Sequence, residues 1–298
     1  MNQFIELLIS GISLGFVYAL IALGFVTIFK ATRVVNFAYG SILLLGAYVV
    51  ARTHGSLGFV PAVLAGMAAA ALCAALIYLV FLRKAAANRA SVDTLAILTI
   101  GVDILLATEL TRRIGDKVLN IGDPWRDHVV HFAGFSVPQA RVAAAVVAIL
   151  VLAAFLAANK WSDWGIAMRS AAEDGEAAAL MGIRLSRVGV AAWAVAGGLA
   201  ALGGVFFTTF PTPGVDASVG LGALTAFPAA ILGGLDSIAG AIVGGLIIGV
   251  VATMTAGYQD ELAFLGRGLG NVAPYVVMVL VLLWRPSGLF GTRELTRV

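Results

Sequence analysis

Runs of about 20 apolar residues recur along this chain, separated by short polar connections. Such a run, wound as an α-helix, matches the hydrocarbon thickness of a bilayer. Inside lipid a helix satisfies its own backbone hydrogen bonds, and an open strand does not. The chain is therefore expected to be an all-α polytopic membrane protein with about 8–10 transmembrane helices, residues 1–298 forming a single transmembrane domain. A charged fraction of 12% and a mean hydropathy of +1.01 agree, since soluble domains carry about 25% charge.

These properties exclude several classes. A net charge of +3 gives nucleic acid no electrostatic footing. Cys73 is the only cysteine and lies in an apolar run, so no intrachain disulfide or cysteine-based metal framework is expected. His54, His128 and His131 all fall in polar connections, and no phosphate-binding loop, HExxH or GxSxG occurs. The chain is accordingly expected to be no enzyme and to hold no cofactor. Met1–Phe29 lacks a basic start and has basic residues behind it, which predicts a retained first span rather than a cleaved signal.

Nine apolar segments follow in order: Ile5–Phe29, Asn36–Val50, Phe59–Leu82, Val92–Leu110, Val142–Ala158, Val188–Phe210, Gly220–Leu235, Ser237–Ala256 and Asn271–Trp284. Lys30 and Arg33 behind the first place its end in the cytoplasm and the N-terminus outside. Counted that way, twelve of the 19 Lys and Arg residues fall inside, including Arg285, Arg293 and Arg297 at the C-terminal end. Arg52–Gly58, Thr111–Arg141, Pro211–Val219 and Gly257–Gly270 are the expected outer connections.

Asn159–Arg187 is the longest polar interruption on the expected cytoplasmic side. Arg169 and Glu173 are four apart, a favourable helical pair. Asp174 can cap a short Ala-rich helix carrying Glu176 in its first turn. Gly182 stands where a helix stop favours left-handed geometry. The segment predicts a helix, a break at Asp174–Gly175, a second short helix and a stop.

Two short segments stand apart. Asn36–Val50 opens on the polar stretch NFAYGS, and Gly220–Leu235 carries Pro228 and ends in GGLD. Each predicts a discontinuous helix, and together they predict an inverted repeat with a substrate path near the midplane. Candidate path residues are Asn36, Tyr39, Ser41, Thr99, Asp103 and Pro228. Asp103 either contacts a zwitterion's ammonium or bonds a hydroxyl or amide on a neighbouring helix, because an acid at a helix centre costs about 2.5–3.5 kcal/mol unless it faces protein or water. Glu109 is expected to be solvated at the outer interface, and Asp236 with Ser237 to cap the next helix. Gly240/Gly244 and Gly245/Gly249 are GxxxG pairs suited to close helix packing.

Glu176-Ala177-Ala178, three residues, then Gly182 resembles the coupling motif of ABC-importer permeases. ISGISLGFVYALIALGFVTIFKATRVVNFAYGSILLLGAYVV, AMRSAAEDGEAAALMGI, AAILGGLDSIAGAIVGGLIIG and the closing RPSGLFG resemble the permeases of high-affinity branched-chain amino acid uptake systems, the shorter of the two homologous permeases in particular. The resemblance implies a bacterial inner-membrane permease subunit, N-terminus periplasmic and C-terminus cytoplasmic. It also implies two ATP-binding cassette subunits that bind ATP and Mg, a second homologous permease (hetero- or homodimer) and a periplasmic substrate-binding protein. Glu176, Ala177, Ala178 and Gly182, with Arg169 and Glu173, would then form the coupling element. Urea or short amides are the alternative substrates within the same broad family. An ion-driven secondary transporter would want more intramembrane charge than Asp103 offers.

The charge distribution makes orientation testable. A cysteine placed at position 174 should react only from the cytoplasmic side and one at Asp127 only from outside. Labelling of position 174 in intact spheroplasts would overturn the topology.

Overall fold

The computed structural model describes residues 2–125, 128–132, 135–210, 213–261 and 268–292. Each of the nine expected apolar segments is a helix: α1 (Asn2–Thr32), α2 (Tyr39–Leu57), α3 (Phe59–Ile77), α5 (Val92–Ile114), α6 (Gln139–Trp161), α9 (Leu185–Phe207), α10 (Val219–Gly233), α11 (Ile238–Gly257) and α12 (Leu269–Trp284). α3 runs on through a π-helical turn, Tyr78–Leu82, into the short α4 (Arg83–Ala87). α7 (Asp163–Glu173) and α8 (Gly175–Leu180) occupy the polar interruption before α9. Among the described residues six helices are long and apolar enough to cross a membrane, and α10 and α12 are shorter apolar ones. The protein is all-α and polytopic; the one described hairpin pairs β1 (Val129–Phe132) with β2 (Phe135–Pro138) antiparallel. Arg293, Arg297, Arg126, Asp127 and part of the Gly257–Gly270 connection lie outside the described residues.

Two compact units are present. One comprises the chain up to Val26, Trp125–Ala148 and the chain from Leu224; the other comprises Thr27–Pro124 and Ile149–Ala223. In the first, α11 uses two glycine faces. A Cβ on Gly245 would come within 2.5 Å of the Ala19 backbone of α1, and one on Gly249 would collide with Gly15. From the other side, Gly15 and Gly11 rest on the Leu246 and Val250 Cα atoms, each 2.8 Å from an added Cβ. Gly240 and Gly244 instead abut the Gly233 and Ala229 carbonyls of α10. Without a hydrophobic force between helices in lipid, such close approach supplies the dispersion contact that holds them.

In the second unit α2, α3 and α9 pack on one another and α5 lies against α2. Gly46 meets Ala201, Gly66 meets the Gly46 carbonyl and Gly197 meets Ala70, all at backbone contact. Trp193 of α9 is fully buried, its ring 5.9 Å from that of Tyr78. α9 buries most of its length, whereas α3 and α5 bury only a small part of theirs.

Three expectations need correction. α2 is entered through an irregular Arg33–Ala38 stretch, as its polar opening predicts, but it is no short segment: it continues to Leu57 and takes up most of the expected Arg52–Gly58 loop. The polar residues there bond back to their own helix, Thr53 to the Val49 carbonyl and Arg52 Nε to the Tyr48 hydroxyl, and Gly58 at φ +81° turns directly into α3. α10 is not interrupted by Pro228. A proline at that position leaves the Leu224 carbonyl without its helical donor, and the Tyr275 hydroxyl of α12 donates to it at 2.9 Å. The Thr111–Arg141 connection is shorter than expected, since α5 runs to Ile114 and α6 starts at Gln139.

The α11 packing predicts the effect of added bulk. Gly244→Leu or Gly245→Leu should cost more than the about 1–3 kcal/mol of ordinary overpacking, because the obstruction is backbone, and should lower folded yield in detergent. Unchanged yield and activity would mean that neither glycine faces a helix.

Candidate functional site

The α7–α8 pair is built by local capping. Ser162 Oγ accepts the Gly165 amide at 3.1 Å and starts α7, whose Met168 is fully buried. At the break, Asp174 is extended and its Oδ1 accepts the amides of Glu176 (3.0 Å) and Ala177 (2.9 Å). α8 ends in a Schellman stop: Gly182 has φ +87°, its amide donates to the Ala179 carbonyl, and the Ile183 amide donates to the Ala178 carbonyl, both at 3.0 Å. Helix, break, second helix and stop all fall where the residue pattern placed them.

Ala178 is buried while Glu176 and Ala177 are exposed. Beside them stand Leu180, 89% exposed, and Met181, 84% exposed. These two were missed from sequence. Their signal was an apolar pair closing a six-residue helix that has only one inward face. Two adjacent large apolar side chains so open to solvent, on a rigidly capped turn, form a surface suited to a partner. Arg169 does not pair with Glu173; its guanidinium donates to the Lys160 carbonyl at 3.3 Å. Arg33, from the end of α1, reaches the Ala172 carbonyl at 2.7 Å.

A second cluster gathers five of the six candidate path residues where α2 begins. Asn36, Tyr39, Ser41 and Thr99 are buried and Asp103 is half-buried. Ser41 Oγ donates to Asp103 Oδ1 at 2.5 Å, joining α2 to α5. Thr99 Oγ1 accepts the Phe37 amide at 3.0 Å and donates to the Ala96 carbonyl at 2.7 Å. Tyr39 donates to the Ala196 carbonyl of α9 at 3.1 Å. Asn36 Oδ1 accepts the Ala38 amide at 3.0 Å, while its Nδ2 has no partner. Asp103 thus bonds a hydroxyl on a neighbouring helix, that of Ser41. Pro228 belongs to the other compact unit. Glu109 is not merely solvated: Arg112 Nε at 2.9 Å and Arg113 Nε at 2.6 Å both bind it, because α5 extends far enough to put both arginines on its own helix. Ser237 caps α11 through the Gly240 amide at 3.0 Å, but Asp236 turns to the segment after α12 and accepts the Thr292 amide at 3.0 Å. There the closing RPSGLFG folds back on α10, Leu289 and Phe290 donating to the Leu232 and Gly233 carbonyls. Among the described residues no cluster of three His, Cys, Asp or Glu side chains is placed to hold a metal ion.

Residues 7–283 match the model of a family described as branched-chain amino acid transport system / permease component. The chain belongs to that family. The permease is 29% identical to the high-affinity branched-chain amino acid transport system permease protein LivH of Escherichia coli K12 over 313 residues, covering 99% of this chain and 98% of LivH. It is 30% identical over 280 residues to a LivH-type permease protein of Methanocaldococcus jannaschii, covering 91% and 88%. It is 26% identical to BraD of Pseudomonas aeruginosa, a protein with the same transport description, over 311 residues and 99% and 98%. No solved structure matches. The permease is thus an integral membrane transport subunit and no enzyme, and its family works in ABC transport systems with partner subunits.

The Ser41–Asp103 bond predicts a measurable coupling. Ser41→Ala leaves the half-buried carboxyl without its donor and should cost about 1–3 kcal/mol, read as a lowered unfolding temperature in detergent. The double variant Ser41→Ala/Asp103→Asn should lose less than the sum of the two single variants. Strict additivity would show that the bond does not contribute.

Proposed function

We propose that this permease carries branched-chain or other hydrophobic amino acids inward across a bacterial inner membrane, driven by ATP that other subunits hydrolyse. The observation that carries the reading is the α7–α8 pair: a capped six-residue helix with a glycine stop that presents Ala177, Leu180 and Met181 to solvent beside the buried Ala178. Small and apolar residues on a rigid protrusion suit insertion into a groove of a separate ATPase. Each of two ATPase subunits would bind ATP and Mg and pull or push the pair as it closes. A periplasmic binding protein would deliver the substrate. A second permease, homologous or identical, would complete the membrane part.

The basic residues support an N-terminus outside and a C-terminus inside, with α7–α8 in the cytoplasm. The path would run by Asn36, Tyr39, Ser41, Thr99 and Asp103, where an irregular backbone and buried polar groups occur at the start of α2. Backbone freed from helical bonding lines cavities in membrane proteins rather than facing lipid. Movement of the α7–α8 pair would open this region to each side in turn.

Two substitutions test the docking element without touching a span. Ala177→Arg keeps a good helix former but adds a long charged side chain to the docking face. It should reduce co-purification of the ATPases by about tenfold or more, the equivalent of about 1.4 kcal/mol, and abolish ATP-driven uptake of labelled leucine. Gly182→Val forces a β-branched residue to positive φ, a cost of at least about 1–2 kcal/mol, and should do likewise. Normal co-purification and uptake with Ala177→Arg would remove the coupling role. Uptake of labelled urea or short amides in place of leucine would change the substrate class and leave the docking element standing.

A further inference from the structure

We infer that Arg33 is the joint through which movement of the α7–α8 pair reaches the polar lead-in of α2. This rests on the reading that α7–α8 docks on the ATPases. α1 ends at Thr32, and the Arg33 amide still donates to the Phe29 carbonyl at 2.7 Å. Arg33 itself has φ +56°, and only it and Arg89 adopt a left-handed backbone without being glycine among the described residues. Glycine or asparagine would occupy that geometry more easily. An arginine there points to a need for its side chain.

The side chain has a definite task. Arg33 Nη2 donates to the Ala172 carbonyl at 2.7 Å. Ala172 lies in the last turn of α7, where carbonyls lack helical donors. A cation at that end also complements the helix dipole. Arg33 therefore closes α7 from a position remote in sequence, two residues before Asp174 begins α8. On its other side the chain is fixed almost at once. Val34 and Asn36 are buried, and the Phe37 amide bonds Thr99 Oγ1 of α5 at 3.0 Å. From the break between α7 and α8 to the Ser41–Asp103 cluster the route is one guanidinium and a few residues of irregular backbone.

Packing leaves room for that joint to act. A cavity of about 230 Å³ has Arg33 and Val34 on its wall with Ala171, Gly175 and Leu185 of the α7–α9 segment, and Tyr78 of the π-helical turn. The lead-in and the helix pair are thus separated by space in part, and the guanidinium bond spans them. A side chain that carries displacement across a cavity would uncouple the two when removed, without loosening either.

The clean variant is Arg33→Gly, which keeps the left-handed backbone at no steric cost and removes only the guanidinium. Arg33→Lys keeps a cationic donor. Each is assembled with its ATPases and binding protein, reconstituted in vesicles, and scored by labelled leucine taken up per ATP hydrolysed and by co-purified ATPase. Arg33→Gly should retain its ATPases while uptake per ATP falls by about tenfold, within the usual range of coupling between sites. Arg33→Lys should restore most of the ratio. An unchanged ratio in Arg33→Gly overturns the joint, and so does loss of the ATPases, which would assign Arg33 to docking. Ala177→Arg in the same assay separates the two proposals: if it keeps its ATPases the docking reading fails and this one with it, whereas if it loses them and Arg33→Gly keeps its ratio, only the joint fails. Should Arg33→Gly yield too little protein, paired cysteines at Arg33 and Ala172 give the second measurement. A rapid cross-link that leaves uptake intact supports a rigid joint, and a cross-link that blocks uptake overturns it.

Discussion

A backbone that crosses lipid has to satisfy its own amides and carbonyls, and most of this permease follows from that requirement. It dictates helices for every apolar segment and makes the exceptions informative. Pro228 removes one amide from α10, and Tyr275 on α12 bonds the carbonyl that is left over. Hydroxyls within spans turn back on their own turn, as Ser13 does to the Ile9 carbonyl and Thr255 to the Val251 carbonyl. Where the backbone leaves the helix, at Arg33–Ala38, the bonds come from side chains: Asn36 Oδ1 to the Ala38 amide and Thr99 Oγ1 to the Phe37 amide.

With hydrogen bonds satisfied inside each helix, association depends on how closely backbones approach. α11 shows the economy of this arrangement. Its glycines at 245 and 249 accept α1, and those at 240 and 244 accept α10. The second unit repeats the device with different partners, Gly46 on Ala201 and Gly197 on Ala70. Such interfaces are stiff, because displacement brings backbone against backbone.

The α7–α8 pair shows the same economy. A short helix has little intrinsic stability in water, and α8 is held by Asp174 at one end and the Gly182 stop at the other. Its buried Ala178 anchors it while Leu180 and Met181 stay open. The pair is tied to the end of α1 by the Arg33 guanidinium, which donates to the Ala172 carbonyl.

The amino-acid order by itself determined the helical class, the nine apolar segments, the capped pair with its stop at Gly182, and the glycine pairs of α11. Each depends on a few neighbouring residues: a run long enough for the bilayer, an Asp two and three residues before free amides, a glycine that tolerates positive φ. Helix ends were less legible. Arg52–Leu57 looks like a loop from its polarity, yet these residues, exposed or half-buried, bond within α2. Pro228 looked like a break because its rescue by Tyr275 comes from another helix. Only the tertiary structure decided that Arg169 leaves Glu173 for a carbonyl, that Ser41 is the partner of Asp103, that Asp236 accepts the Thr292 amide, and that Arg33 closes α7. These are contacts between segments distant in the chain, set by how helices pack, and local spacing carries no information about which remote carbonyl or hydroxyl will lie within 3 Å.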